Sequence, residues 1–339
     1  MAENFYVELL HNLTANLAIA IDQVKGGETK ETDGIEFNAE DFWNRLGLVF
    51  KAIAHEATKL SLTFSSPPLP SSQECESLIT GVEKTTLALV SLYYCLPKSQ
   101  GLRLRKSTQN AVVDVIQGIT DLAKAVEQYG CGSSEQLQST GNVWNGADIF
   151  PQIPKVKKNN REAVLKVICE AQGMATDALQ EIQEAVDSGG IGDDLDELLD
   201  EDVGSDNENT WSERDKTLLG PCLGLLKASK SLLKKTKDTV KKNACCNSEQ
   251  TVMQLDDLAD LVDRLSPAVD ELASSLYPPL HYQTLNENGK CVYQIHGTML
   301  EFIRKCDFVT ENDQQWIDFL HKANQHNWEN INTHLNEVS

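Results

Sequence analysis

Histidine is the side chain in this sequence best suited to hold a metal ion, and three of the seven histidines lie near the C-terminus. His326 and His334 are about two turns apart on a predicted helix and share one of its faces. His321 precedes His326 by five residues and therefore lies on another face of the same helix, so the three imidazoles do not converge. The spacing therefore favours ordinary surface histidines over a metal site.

The nine cysteines follow no regular spacing, and their odd number is typical of reduced thiols in the cytosol or nucleus. Cys245 and Cys246 are adjacent, whereas zinc motifs place two residues between their cysteines. We interpret this pair as two thiols of a polar loop, with a redox function as the alternative. The sequence also contains no phosphate-binding loop, nucleophile elbow or zinc-protease motif. We therefore expect neither enzymatic activity nor a bound metal or cofactor.

One predicted helix carries a row of lysines at intervals of three and four residues, which places them on one face. The row consists of Lys227, Lys230, Lys234, Lys237 and Lys241. It is interpreted either as a solvated face whose cations favour the C-terminal end of the helix, or as a docking patch. The docking patch would receive an acidic partner or the acidic segment of the same chain.

That acidic segment, residues 187–210, contains ten acidic side chains and no lysine or arginine. Such a stretch repels itself and cannot form a core, so we predict a linker. Within it, Leu195, Leu198 and Leu199 form an L-x-x-L-L pattern that could fold into a hydrophobic groove of a partner. The alternative is an acidic linker with some aliphatic residues. Ser205, with an acid three residues later, is a candidate phosphorylation site for an acid-directed kinase.

The clearest heptad pattern in the sequence spans residues 255–276. Its two apolar positions are occupied by Leu255, Val262, Val269 and Leu276, and by Leu258, Leu265 and Leu272. This spacing is typical of a coiled-coil seam, but neighbouring alanines and leucines widen the apolar face. The width favours a helix buried in its own domain over an intermolecular zipper.

Apolar residues spaced by three and four predict helices along almost the whole chain. The first runs from about Phe5 to Val24, and Asn38 and Asp41 are expected to cap the second. The others cover about 38–64, 72–96, 99–128, 164–185, 212–243, 249–277, 285–307 and 313–337, with a Gly/Pro-marked connection at 130–158. No strand pattern is present, which predicts an all-α protein.

Nine predicted helices on either side of an acidic linker indicate two antiparallel helical bundles, of five and four helices. The expected domains are an N-terminal bundle at 1–186, the linker at 187–210 and a C-terminal bundle at 211–339.

Charge and hydropathy exclude several classes of partner. The net charge of −21 repels phosphate backbones and anionic lipid, so we expect neither direct DNA binding nor membrane binding. No stretch approaches the ~18 uncharged apolar residues of a membrane helix, and the N-terminus lacks the pattern of a signal peptide.

Several short strings, in a fixed order and spacing, resemble the cyclin-D-binding protein family, whose members are also described as Grap-and-cyclin-D-interacting or maternal Id-like proteins. The strings are 37–43 with Arg45 and Leu46, 69–71 with Gln73 and Glu74, 93–98 with Gln100 and Gly101, 150–154, 221–223, 254–257, Ser266 with Pro267, and 277–279. The resemblance extends from about residue 36 to 280, and it depends on the collection of strings.

This resemblance implies a non-enzymatic negative regulator of the cell cycle and of transcription that binds D-type cyclins. It also implies helix–loop–helix transcription factors and adaptor proteins as partners, and a location in both cytoplasm and nucleus. The fold it implies is like the helical bundles of vinculin and talin. A scaffold of that type, binding amphipathic helices, is the alternative function.

The best candidate for a helix–loop–helix region is 212–243 followed by 250–276. An acidic segment precedes it in place of a basic arm, so a dimer with a basic helix–loop–helix factor would have only one DNA-gripping arm. The two-bundle prediction opposes this arrangement, because the same helices would already be buried.

Overall fold

The computed structural model describes residues 5–27, 37–129, 132–149, 159–188 and 210–336. Within these ranges every regular element is helical, which confirms the all-α prediction. Ten α-helices and one short 3₁₀ turn, Lys98–Gln100, are present there. The α-helices are α1 (Phe5–Gly26), α2 (Ala39–Thr63), α3 (Ser72–Tyr93), α4 (Leu102–Tyr129), α5 (Ser134–Ile149), α6 (Asn160–Asp187), α7 (Glu213–Asn243), α8 (Glu249–Ser274), α9 (Tyr282–Ile303) and α10 (Glu311–Asn336).

Side-chain caps begin several of these helices where the sequence places a polar residue before an apolar face. The Asn38 side chain accepts a hydrogen bond from the backbone N–H of Asp41 at the start of α2, as predicted. Ser212 and Asp215 form a reciprocal capping box at the start of α7. Each cap satisfies backbone N–H groups that have no partner within the helix.

Helix α5 lies in the region for which the sequence predicts only a connection, and that prediction is wrong. Few apolar residues define its face, and its Gly146 is a packing surface rather than a helix breaker. A Cβ added at Gly146 would lie 2.9 Å from Val115 of α4, and one added at Gly118 of α4 would lie 3.0 Å from Val143 of α5. The absence of these side chains lets the two helices approach closely.

Contacts divide the chain into two compact units, Met1–Glu162 and Ala163–Ser339. In the first unit, α1 packs against α3 and α4, while α5 packs against α4 and α2, and α2 also packs against α3. The ring of helices encloses a core that includes Leu13, Phe50 and Val112, all fully buried. Gln136 of α5 donates a 2.6 Å hydrogen bond to the carbonyl of Ser61, which anchors α5 to α2.

The second unit contains α6 from Ala163 onward and α7 to α10, and their apolar faces share one core. Helices α7, α8, α9 and α10 are neighbours in chain order, and α10 also packs against α7. Helix α6 contributes Val164, Ile168, Ala175 and Ile182 to this core. The sequence grouped this helix with the N-terminal bundle, at 1–186. The observed division instead lies between Glu162 and Ala163. The sequence could not locate it, because an apolar face shows that a helix is packed but not which helices it packs against.

The heptad face of α8 is internal to the second unit. Leu258, Leu265 and Leu272 are completely buried, and they belong to the same core as the apolar residues of α7, α9 and α10. Pro267 lies inside α8 without ending it. The prediction of a helix buried in its own domain is therefore confirmed. No helix in the described part of the chain is long and apolar enough to cross a membrane.

Candidate functional site

The row of lysines on α7 lies along the surface of the second unit. Lys227, Lys234 and Lys241 are exposed, and Lys230 and Lys237 are half-buried. The ammonium of Lys237 donates a hydrogen bond to the side chain of Gln172 on α6. Within the described residues, no carboxylate lies within ion-pair distance of the five lysines. The row therefore presents positive charge on a strongly acidic protein, which fits both a solvated face and a docking patch.

The other predicted partner-binding residues cannot be placed in the same way. Leu195, Leu198 and Leu199 of the L-x-x-L-L pattern and the candidate phosphorylation site Ser205 lie outside the described residues.

The histidines and cysteines that the sequence singled out do not gather into a site. His321 and His326 are exposed on α10, and the ring of His326 contacts the amide of Asn330 at 3.1 Å. Cys245 is exposed and Cys246 is half-buried, and both lie outside any disulfide in the turn between α7 and α8. In the described residues, no three His, Cys, Asp or Glu side chains form a group that could hold a metal ion.

A buried polar network that the sequence analysis missed joins α7, α9 and α10. The hydroxyl of Ser229 lies 2.8 Å from Nε2 of His296, and Nδ1 of His296 lies 2.9 Å from Oδ1 of Asn324. The Asn324 amide donates to the backbone carbonyl of Tyr293 at 3.0 Å, which identifies its Oδ1 as an acceptor. Nδ1 of His296 therefore carries the proton, and Nε2 accepts from Ser229.

Burial sets the charge of this histidine. Because the ring of His296 is enclosed, desolvation lowers its pKa to about 4, although the hydrogen bond to Asn324 opposes the shift. The imidazole is consequently neutral at physiological pH. A lone histidine among the apolar positions of α9 was the only signal of this network in the sequence.

A hydroxyl, an imidazole and an amide in this order match the nucleophile, base and orienting group of some hydrolases. Here the hydroxyl of Ser229 is fully buried and also contacts the carbonyl of Leu225 at 3.1 Å. The surface pocket beside Asn324, about 490 Å³ in volume, is lined by neither Ser229 nor His296. The network therefore aligns three helices rather than meeting a substrate.

One of the strings that carry the family resemblance, 93–98, forms a structural junction. Arg105, at the start of α4, is buried and donates to the carbonyls of Leu96 and Gly27, the latter at 2.9 Å. Its guanidinium also lies 5.1 Å from the ring centre of Tyr93. The Tyr94 hydroxyl donates to the carbonyl of Gln23 at 2.8 Å. The string at 93–98 thus ties the ends of α1 and α3 to α4.

A groove about 610 Å³ in volume lies between α6 and α8 of the second unit. Ala171, Val262 and Val269 form its buried floor, and Met174 and Pro267 are exposed along it. Its rim is acidic, with carboxylates at Glu170, Asp177, Glu181, Asp263 and Asp270. No lysine, arginine or histidine of the described residues lines this groove.

Comparisons with known proteins place the whole chain among relatives. The N-terminal sequence model of the Grap2 and cyclin-D-interacting family matches residues 45–188, and its C-terminal model matches 191–301. A zebrafish protein named Cyclin-D1-binding protein 1 homolog is 40% identical over 335 residues, covering 97% of this chain and 96% of its own. The Xenopus laevis homolog is 37% identical, covering 95% and 96%. Human Cyclin-D1-binding protein 1 is 34% identical, covering 94% and 91%. Helix α6 lies within the N-terminal sequence model, although it packs with the C-terminal helices. The chain belongs to the Grap2 and cyclin-D-interacting protein family.

Proposed function

We propose that this protein is a non-enzymatic interaction protein that binds D-type cyclins. The observation that carries the proposal is the match, over more than nine-tenths of each chain, to relatives named for binding cyclin D1. The all-helical fold and the enclosed Ser229 are consistent with a protein that acts through its surface.

By holding D-type cyclins, the protein would act as a negative regulator of cell-cycle progression and of the transcription that accompanies it. We further propose that the protein is located in both the cytoplasm and the nucleus. Phosphorylation of Ser205 would add charge to an already acidic segment and thereby tune the interaction.

Helix–loop–helix factors and adaptor proteins are further proposed partners, but α7 and α8 are poor candidates for a dimer seam. Leu258, Leu265 and Leu272 are already buried in the second unit, and one apolar face cannot be buried twice. We propose that partners bind the outer surface instead, and that the lysine row of α7 contributes to it.

Binding of the full-length protein to purified cyclin D1, measured by isothermal titration calorimetry, tests this function. We expect a saturable complex with cyclin D1. The variant K227E/K234E/K241E should weaken the complex, because it reverses the charge of three exposed lysines. The matched control K290E/K305E/K322E makes the same change at exposed positions elsewhere in the second unit. Absence of cyclin D1 binding by the folded protein would refute the proposal.

The second candidate function is a scaffold that binds amphipathic helices, as helical bundles of the vinculin and talin type do. The specific observation that favours it is the apolar groove between α6 and α8.

A further inference from the structure

We propose that the groove between α6 and α8 binds a basic amphipathic helix of a partner protein. This inference rests on the proposed scaffold function and specifies the class of ligand that the scaffold binds. The inference is independent of cyclin binding.

The floor of the groove requires an apolar occupant. Ala171, Val262 and Val269 lie at its base, and Met174 leaves 54% of its surface exposed to water beside them. Small residues on α6, Ala171 and Ala178, keep the space between the two helices open. Apolar side chains of a ligand would cover this surface and release the water that contacts it.

The groove has the direction and length of a helix. Met174 of α6 contacts Ser266 of α8, and seven residues further on Glu181 contacts Tyr277, so α6 and α8 run parallel. The lining residues of α6 extend from Val167 to Glu181, roughly 21 Å along a helix axis, and those of α8 extend from Val262 to Asp270, roughly 12 Å. A third helix of about two to four turns matches these lengths, with its apolar face inserted between the other two.

The rim determines the charge of the occupant. Carboxylates flank the floor on both sides: Glu170, Asp177 and Glu181 from α6, and Asp263 and Asp270 from α8. Glu170 pairs with Lys166 at 3.7 Å, and Glu181 accepts a hydrogen bond from Tyr277. No lysine or arginine of the described chain lies within ion-pair distance of Asp177 or Asp270. A helix with lysine or arginine on both sides of an apolar face complements this rim, whereas the acidic segment 187–210 of the chain itself would be repelled.

The experiment uses the full-length protein and three synthetic 18-residue amphipathic peptides with the same leucine face. The polar positions carry lysine, glutamine or glutamate, and binding is followed by fluorescence anisotropy of a labelled peptide. We expect the lysine peptide to bind and the glutamate peptide not to bind. Equal binding of the glutamine and lysine peptides would be compatible with the scaffold function but would overturn the proposal that the occupant is basic.

Charge reversal locates the site. The variant D177K/D270K should weaken binding of the lysine peptide about tenfold or more, because two attractive contacts become repulsive. The matched control E287K/E329K changes the net charge equally at exposed positions of α9 and α10 that do not line the groove. An equal loss in both variants would show an effect of net charge alone and overturn the site.

Two further measurements address the floor and a competing occupant. Met174→Ser removes an exposed apolar side chain, so it should weaken the lysine peptide while the circular dichroism spectrum stays unchanged. Unchanged affinity would argue against an apolar floor.

The oligomeric state tests a competing occupant. The sedimentation coefficient of the unliganded protein should be the same in the wild type and in D177K/D270K. A dimer lost in that variant would identify a second copy as the occupant and overturn the partner helix. Because cyclin is absent from these assays, none of the outcomes bears on cyclin binding.

Discussion

The hydroxyl of Tyr277 donates a 2.6 Å hydrogen bond to the carboxylate of Glu181, and this contact links the turn after α8 to α6. Glu181 precedes the acidic segment in the chain and Tyr277 follows it by 67 residues of helical structure and turns. The contact therefore shows, at the level of one atom pair, that α6 is part of the second unit.

Removing this hydrogen bond should loosen α6. We expect Tyr277→Phe to lower the free energy of unfolding by about 1 kcal/mol, measured by urea denaturation. Glu181→Gln and the double variant complete a cycle, and the pair should show coupling. Tyr129→Phe, at an exposed tyrosine of α4, is the control and should be neutral. Additive effects of the two changes would contradict a direct interaction.

The same contact has a consequence at high pH. Burial, followed by the hydrogen bond to Glu181 and its charge, raises the pKa of Tyr277 to about 12. The unfolded chain releases this proton near pH 10, so the stabilisation is complete below pH 10 and is lost as the pH rises toward 12. The stability of the wild-type protein should therefore approach that of Tyr277→Phe in this interval, when the two are compared by urea denaturation.

Leu265→Asp tests whether the heptad face of α8 is internal. The change places a carboxylate at a fully buried position, which costs several kcal/mol. We expect loss of helicity and a lower thermal midpoint in the absence of any partner, measured by circular dichroism. Arg264→Asp introduces the same residue at the exposed neighbouring position and should leave both values nearly unchanged. A normally helical and stable Leu265→Asp protein would indicate an intermolecular seam.

The enclosed imidazole of His296 should make the protein sensitive to mild acid. Its pKa is about 4 in the folded protein, against about 6.5 in an unfolded chain, so between these values the unfolded state binds the proton more readily. The stability is therefore complete above pH 6.5 and falls as the pH drops toward 4, by an amount on the order of 3 kcal/mol.

A substitution isolates this effect. Urea denaturation of His296→Gln at several pH values should show lower stability at pH 7, because the hydrogen bonds to Ser229 and Asn324 are disturbed, and a shallower decline between pH 6.5 and 4. His326→Gln changes an exposed histidine and should retain the wild-type decline. Equal pH dependence in the two variants would contradict the assignment to His296.

Asp313 caps the start of α10 and should be most important above pH 4. Its partial burial raises its pKa, but hydrogen bonds from Thr310, Trp316 and Thr239 outweigh this and lower the pKa to about 2. The stabilisation is therefore complete above the usual pKa near 4 and is lost as the pH falls toward 2. We expect Asp313→Ala to cost about 1 kcal/mol at pH 7, measured by urea denaturation. Asn312→Ala, at the exposed neighbour, should cost much less.

Much of the fold follows from local patterns in the sequence. The apolar spacing of α2 predicts its extent, and the Asn38 side chain begins it as expected. Helix α5 could not be predicted in this way, because a glycine in a sequence usually indicates a break in a helix. Here Gly118 and Gly146 instead allow α4 and α5 to pack closely, which the sequence does not show.

Only part of the candidate site could likewise be predicted from the sequence. The lysine row of α7 could be predicted because residues three and four apart on a helix share a face whatever surrounds them. The groove could not, because Asp177 and Asp270 become neighbours across it only when α6 packs beside α8.

The sequence by itself determined the helical class, most helix limits, the buried face of α8 and the family. Each of these depends on periodicity, on capping residues or on strings of neighbouring residues. The tertiary structure decided which unit α6 joins, the contact of Ser229 with His296, and the acidic groove. The physical reason is that an apolar face lowers the free energy whenever it is covered, by any helix of suitable shape. Only packing of the complete chain selects which helix covers it, and thereby which polar residues meet.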